Sequence, residues 1–338
     1  MERIRKHVEC LALLACLLMI LLLNGTAKEP ITSSLAIPEE NMLTVYTSHK
    51  EEVYGPIIKE FEERTGIWVQ VEAGGTNELL ERIAAEAAEG EGTQGDIMFG
   101  GGVDSLSVYS SYFQSYTSTQ VQKLNPDYID EESKWTSLSS LPIVFIYNNK
   151  LVYSAGTPRS WEELLDQRWK GKIAFADPRK SGTSFTALST MLQILGEDSM
   201  EPFTDNLDGH ISEDSGAVLD EVISGTRLIG ITLEETALKR IAAGADIGMV
   251  YPKEGTSAVP DGCAILAGAT HQKNAELFLE FTISEDVQQY LAQECYRRPV
   301  RTDIQTKGRQ AFAEITYDID WTGKRQKALL KEWEACVR

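Results

Sequence analysis

From Met42 onward, short β-branched runs alternate with amphipathic helical stretches, and each strand runs into a cluster of small polar residues. That order constrains the fold more than any other feature. Strand, helix, strand in succession packs as a sheet with helices on its faces. LTVYTS (43–48) precedes EEVYGPIIKEFEERTG (51–66), where Val53, Ile57, Ile58 and Phe61 share one helical face and Gly66 is a stop signal. IWVQVEA (67–73) is the next strand, Gly74-Gly75-Thr76-Asn77 opens a second helix, and DIMFG (96–100) is a third strand.

The style changes at SSLPIVFIYNNKLV (139–152), which reads as one apolar strand. RSWEELLDQRWKGK (159–172) reads as a helix, KIAFADP (172–178) as a strand, and FTALSTMLQILG (185–196) as an apolar helix. EVISGTRLIGIT (221–232), ADIGMVYP (245–252) and GCAILAG (262–268) are further strand candidates. KNAELFLEFTISEDVQQYLAQ (273–293) reads as one long helix, and LLKEWEACV (329–337) as another. The expected architecture is two α/β lobes, each a mainly parallel sheet flanked by helices: 42–143 plus 250–338, the latter carrying the C-terminal helices, and 144–249. Crossings near 142–148 and 249–254 join them as hinge strands.

The segment before Met42 reads differently. Arg3, Arg5 and Lys6 precede an unbroken apolar run, Cys10 to Leu23, and then Asn24-Gly25-Thr26-Ala27. That is the order of a secretory signal over 1–27, cut after Ala27. As a helix the apolar run spans about 21 Å, short of a ~30 Å hydrocarbon core, which makes an uncleaved membrane anchor the lesser reading. Leu13-Leu14-Ala15-Cys16 also reads as a lipobox, so the signal is either cleaved after Ala27 or lipidated at Cys16. Either route places the protein outside the cytoplasmic membrane, in the periplasm or at the cell surface, with 28–41 as a linker. Cys263, Cys295 and Cys336 remain; Cys263 and Cys295 are either a disulfide or buried apolar side chains.

Charge and motifs narrow the function. With 32 Lys and Arg against 51 Asp and Glu, the net charge of −19 argues against nucleic acid as a partner. G-x-S-x-G, H-E-x-x-H and G-x-x-x-x-G-K-[ST] are missing, so no enzyme signature stands out and no cofactor is implied. What recurs is the helix-opening cluster: Ser48-His49, Gly75-Thr76-Asn77, Gly101-Gly102, Ser181-Gly182-Thr183-Ser184 and Asp214-Ser215-Gly216. Unsatisfied N–H groups at several helix starts facing one cleft make an anion site without any Lys or Arg. Each such Ser or Thr is also an ordinary N-cap. His49, His210 and His271 show no metal-ligand spacing, and no metal site is expected. The pairs Glu213-Asp214 and Glu234-Glu235 are candidates for holding hydroxyls, a cation or an ammonium group.

LTVYTSHKEEVYGPIIKEFEERTGIWVQVEAGGTNELLERI (43–83) resembles the first lobe of an extracellular solute-binding protein of an ABC importer. GDIMFGGGVDSL, GKIAFADPRKSGTSFTAL, MVYPKEGTSAVPDGCAI and YRRPVR are similar to the ferric-iron and AfuA-like branch of the type 2 periplasmic binding proteins, from about 42 to 305. The resemblance implies two lobes that close by a hinge over one small molecule, a permease partner in the membrane, and a monomer. Ferric-binding members carry an acidic residue where Gly101 stands and an adjacent Tyr pair, and this chain has neither. Sugar-phosphate and phosphonate binders of the branch hold phosphate on helix starts. Ser48, His49, Thr76, Gly101, Ser181, Gly182, Thr183 and Ser215 fill those positions here, with protonated His49 adding charge, while Asp214 and Glu234 would accept from sugar hydroxyls. The expected ligand is a small anionic solute, a phosphorylated sugar first. Ferric iron, or sensing through a membrane histidine kinase, is the alternative. A secreted hydrolase on the same fold lacks a nucleophile signature.

Overall fold

The computed structural model describes residues 37–90, 93–153, 156–306 and 309–337. The expected signal segment, Cys16 and the expected linker up to 36 lie outside them. Within 37–41 there is a short 3-10 turn, Glu39–Asn41.

Alternating burial builds the sheets. Ile97 and Phe99 pack on one face while Met98 packs on the other, and Ile143 and Phe145 oppose Val144 and Ile146 in the same way. Strands buried on both faces need helices on both sides, and each sheet has them. The first sheet holds β1 (Met42–Thr47), β2 (Trp68–Ala73), β3 (Ile97–Gly102), β4 (Thr136–Ser140), β9 (Pro260–Ile265) and β10 (Arg298–Pro299), in the order β10-β4-β9-β3-β1-β2. The second holds β5 (Ile143–Asn148), β6 (Ile173–Ala174), β7 (Ile229–Leu233) and β8 (Ile247–Val250), in the order β6-β7-β5-β8. The helices are α1 (Glu51–Thr65), α2 (Thr76–Glu89), α3 (Val103–Val108), α4 (Gly182–Leu195), α5 (Met200–Leu207), α6 (Ser215–Ser224), α7 (Glu234–Ala242), α8 (Gln272–Thr282), α9 (Glu285–Gln293) and α10 (Ile319–Cys336).

The two-lobe α/β class holds, but the sheets are mixed where mainly parallel ones were expected. β1 pairs in parallel with β2 and β3, and β6 with β7; β9 runs antiparallel to β3 and β4, and β5 antiparallel to β7 and β8. The reason is the crossings. The chain leaves the first sheet through Leu141-Pro142 and returns to it as β9, which inserts between β3 and β4. A strand entering a sheet from that edge must run opposite to strands that end there.

Other local readings shift. Pro142 cannot donate to a ladder, so the apolar run over 139–152 divides into β4 and β5. RSWEELLDQRWKGK makes only the short turns Glu162–Leu165 and Gln167–Trp169. The front of EVISGTRLIGIT is the end of α6, stopped by Gly225 at φ +81°. The long helix over 273–293 breaks after Thr282, and Ser284 caps α9 with its hydroxyl accepting from Val287 N–H. Leu329 and Trp333 of α10, expected with the first lobe, lie in the second sheet's core beside Phe175 and Phe203. Cys263 and Cys295 are buried free thiols, so the disulfide alternative does not form.

Candidate functional site

The topology gathers one edge of each sheet. β1 and β3 are parallel, so Thr47 and Gly102 end on the same side. Antiparallel β9 begins there, with Asp261 opposite Gly102, and β4 and β10 meet it through Ser139, Ser140 and Arg298. In the second sheet Ile143 opens β5 opposite Leu233 at the end of β7. Between these edges lies a cavity of about 230 Å³. Ligand clefts commonly run about 300–1,000 Å³, so this one suits a small solute.

Helix starts make one wall. Ser181 caps α4, its hydroxyl accepting from Ser184 N–H at 3.2 Å and lying 2.8 Å from the Ser215 hydroxyl at the start of α6. Gly182 and Thr183 follow on the cavity side, and the exposed Lys180 joins them. From the first lobe, Gly75 and Thr76 present the start of α2 to the same space. The approach is close: a Cβ on Gly182 would lie 3.7 Å from Thr76 Oγ1. Gly101 has φ +90°, and a Cβ there would stand 2.8 Å from Thr76 Cγ2. A carboxylate side chain at this position has neither the backbone nor the room.

Buried charge makes the other wall. Ser48 and His49 follow β1, and beside them stand Asp261 and Arg297. Arg297 Nη1 donates to Asp261 Oδ2 and, at 3.1 Å, to Ser139 Oγ. Asp261 Oδ1 accepts from Ser139 N–H at 2.9 Å and from its hydroxyl at 2.6 Å. Arg297 Nη2 lies 3.4 Å from His49 Nδ1 and 3.8 Å from Glu235 Oε1. Because the guanidinium can only donate, His49 Nδ1 accepts and the ring proton sits on Nε2. Burial, and then the charges of Arg297 and Lys239, hold the His49 pKa well below its usual value. The expected protonated His49 is therefore a neutral imidazole. Two buried N–H groups of this wall, His49 Nε2 and Arg297 Nε, find no hydrogen-bond partner.

Eight of the ten expected residues thus meet around one cavity; Asp214 and Glu234 do not. Asp214 Oδ1 accepts from Gly216 and Ala217 N–H at 2.7 and 2.8 Å, capping α6. Glu234 is 1% exposed, takes Arg298 Nε and Nη2 at 2.8 Å each, and bonds the Tyr251 hydroxyl. Sequence reasoning missed Asp261 and the two cations, Lys180 and Arg297, and so missed that the wall carries positive charge. Lys180 stood directly before the Ser181 cluster and could have been included. Across the cleft the lobes touch: Thr186 Oγ1 of α4 donates to Asp104 Oδ2 of α3 at 2.8 Å, and Lys239 Nζ lies 3.1 Å from Glu52 Oε1.

Known proteins share this architecture. A probable ABC transporter periplasmic-binding protein of Sinorhizobium fredii is 27% identical over 82% of this chain and 81% of its own. Iron uptake protein A1 of Synechocystis is 25% identical over 86% and 85%. The periplasmic binding protein AfuA of Actinobacillus pleuropneumoniae, solved with exogenous fructose-6-phosphate bound, superposes with a TM-score of 0.80 at 23% identity, covering 88% of this chain and 98% of that one. Residues 98–321 match the family described as bacterial extracellular solute-binding protein. The chain belongs to that family, whose members hold a small molecule and carry out no reaction on it.

Proposed function

We propose that the protein captures a small phosphate- or phosphonate-bearing solute between its lobes, outside the cytoplasmic membrane, and hands it to the permease of an ABC importer. The observation that carries this reading is the convergence of three helix starts on one cavity: Thr76 of α2, Ser181-Gly182-Thr183 of α4 and Ser215 of α6. Each supplies N–H groups at the positive end of a helix dipole. Lys180, Arg297 Nε and His49 Nε2 add donors, and charge-assisted bonds of this kind are worth about 1.5–3 kcal/mol each. Two crossings join the strands of the two sheets, and the contacts across the cleft include polar pairs such as Thr186–Asp104, Lys239–Glu52 and Arg298–Glu234, which suits hinge closure.

The Synechocystis relative, an iron uptake protein, favours iron as a second reading. Against it, the cavity's described lining offers one carboxylate, Asp261, and one imidazole, His49, with no tyrosine. Calorimetry of the whole protein with propylphosphonate and inorganic phosphate, and separately with Fe³⁺ supplied as citrate, separates the two. The anion reading expects heat with the phosphonate and none attributable to iron. Stoichiometric iron without phosphonate binding would reverse the assignment.

A further inference from the structure

We propose that the cleft selects a solute that is anionic at one end and carries neither an ammonium group nor a run of hydroxyls at the other: a short alkyl phosphonate or phosphate monoester. This rests on the anion reading above and narrows it by what the rest of the wall lacks.

An ammonium group entering a closed cleft is held best by a free carboxylate, and the carboxylate here is already engaged. Asp261 is the one carboxylate among the described lining residues, and it takes Ser139 N–H, the Ser139 hydroxyl and Arg297. Its remaining side faces His49 Nε2, at 3.4 Å from Oδ2. With Nδ1 accepting from Arg297, His49 offers the cavity no lone pair. Lys180 and Arg297 add repulsion. The two carboxylates that could have received sugar hydroxyls, Asp214 and Glu234, are held by an N-cap and by Arg298. The lining also carries three aliphatic side chains: Leu141 at the first crossing, Leu233 at the end of β7 and Val259 at the second crossing. A site whose one lining carboxylate is engaged leaves an ammonium only neutral hydroxyls, such as those of Ser48, Thr76 and Thr183, beside two cations, and so disfavours it.

The test is a pair of near-isosteres. Propylphosphonate and 2-aminoethylphosphonate differ by a methyl group in place of the ammonium, and calorimetry should find the first tighter by about tenfold or more. Glucose 6-phosphate should bind more weakly than propylphosphonate. Leu141→Asp supplies the missing acceptor and should narrow the gap between the two phosphonates by at least about threefold. Equal or tighter binding of 2-aminoethylphosphonate, tighter binding of glucose 6-phosphate, or a gap unmoved by Leu141→Asp would overturn the inference while leaving the anion reading intact. If neither phosphonate nor phosphate binds, the anion reading falls and the inference with it.

Discussion

The two walls of the cleft are built in opposite ways. The helix-start wall at α4 and α6 is local: Ser181, Gly182 and Thr183 are consecutive, and Ser215 follows its own N-cap residue. Its groups are neutral apart from the exposed Lys180, and its hydroxyls bond within or between adjacent caps. The wall on the first sheet is assembled from afar. His49, Ser139, Asp261 and Arg297 come from four separate segments and meet because β1, β3, β4 and β9 share an edge. Its charges are buried: His49 is 8% exposed, Arg297 5% and Asp261 2%. Damage to the first kind of wall should cost the ligand; damage to the second should cost the fold.

Arg297→Ala gives the largest effect. Removing one partner of a buried pair leaves Asp261 charged and underpaired, and this should destabilise the protein by about 3–5 kcal/mol in urea unfolding. A loss under about 1 kcal/mol would place this wall with surface ion pairs and erase the contrast.

His49 sharpens the same point through pH. Neutral in the folded protein, it protonates readily once unfolded, so the unfolded chain binds the extra proton. Its stabilising contribution is complete above the ordinary value of 6.5 and is lost as pH falls from there toward the lowered native value. One group contributes at most about 1.4 kcal/mol per pH unit. His49→Gln should flatten the fall in urea midpoint between about pH 7 and pH 5. Identical slopes in both proteins would show that His49 is not held neutral by its buried neighbours.

Ser181→Ala is the smallest. The N–H groups of α4 remain, so propylphosphonate affinity should drop by about 1 kcal/mol, roughly fivefold. A loss of two orders of magnitude would make the hydroxyl, and not the helix start, the main contact.

This contrast also explains what could be read before folding. The strand-then-helix alternation and the small polar clusters are short-range signals, so the two-lobe class and eight cavity residues were legible. Strand direction was not, because it depends on β9 returning between β3 and β4. Nor was the charged wall: nothing local links Asp261 to Arg297, or either to His49. Asp214 and Glu234 misled for a related reason. An acidic residue at a helix start can face a ligand or cap its own helix, and only the packed chain shows Asp214 capping and Glu234 paired with an arginine that arrives from β10.

The most direct test of the central claim, that an anion sits on the start of α4, is Ser181→Asp measured twice. Asp caps a helix as well as Ser does, so the urea midpoint should stay within error of the parent. The new carboxylate would occupy the anion's place, and propylphosphonate binding by calorimetry should weaken by about a hundredfold or more. A Ser181→Asp variant that is equally stable and binds propylphosphonate like the parent would contradict the account.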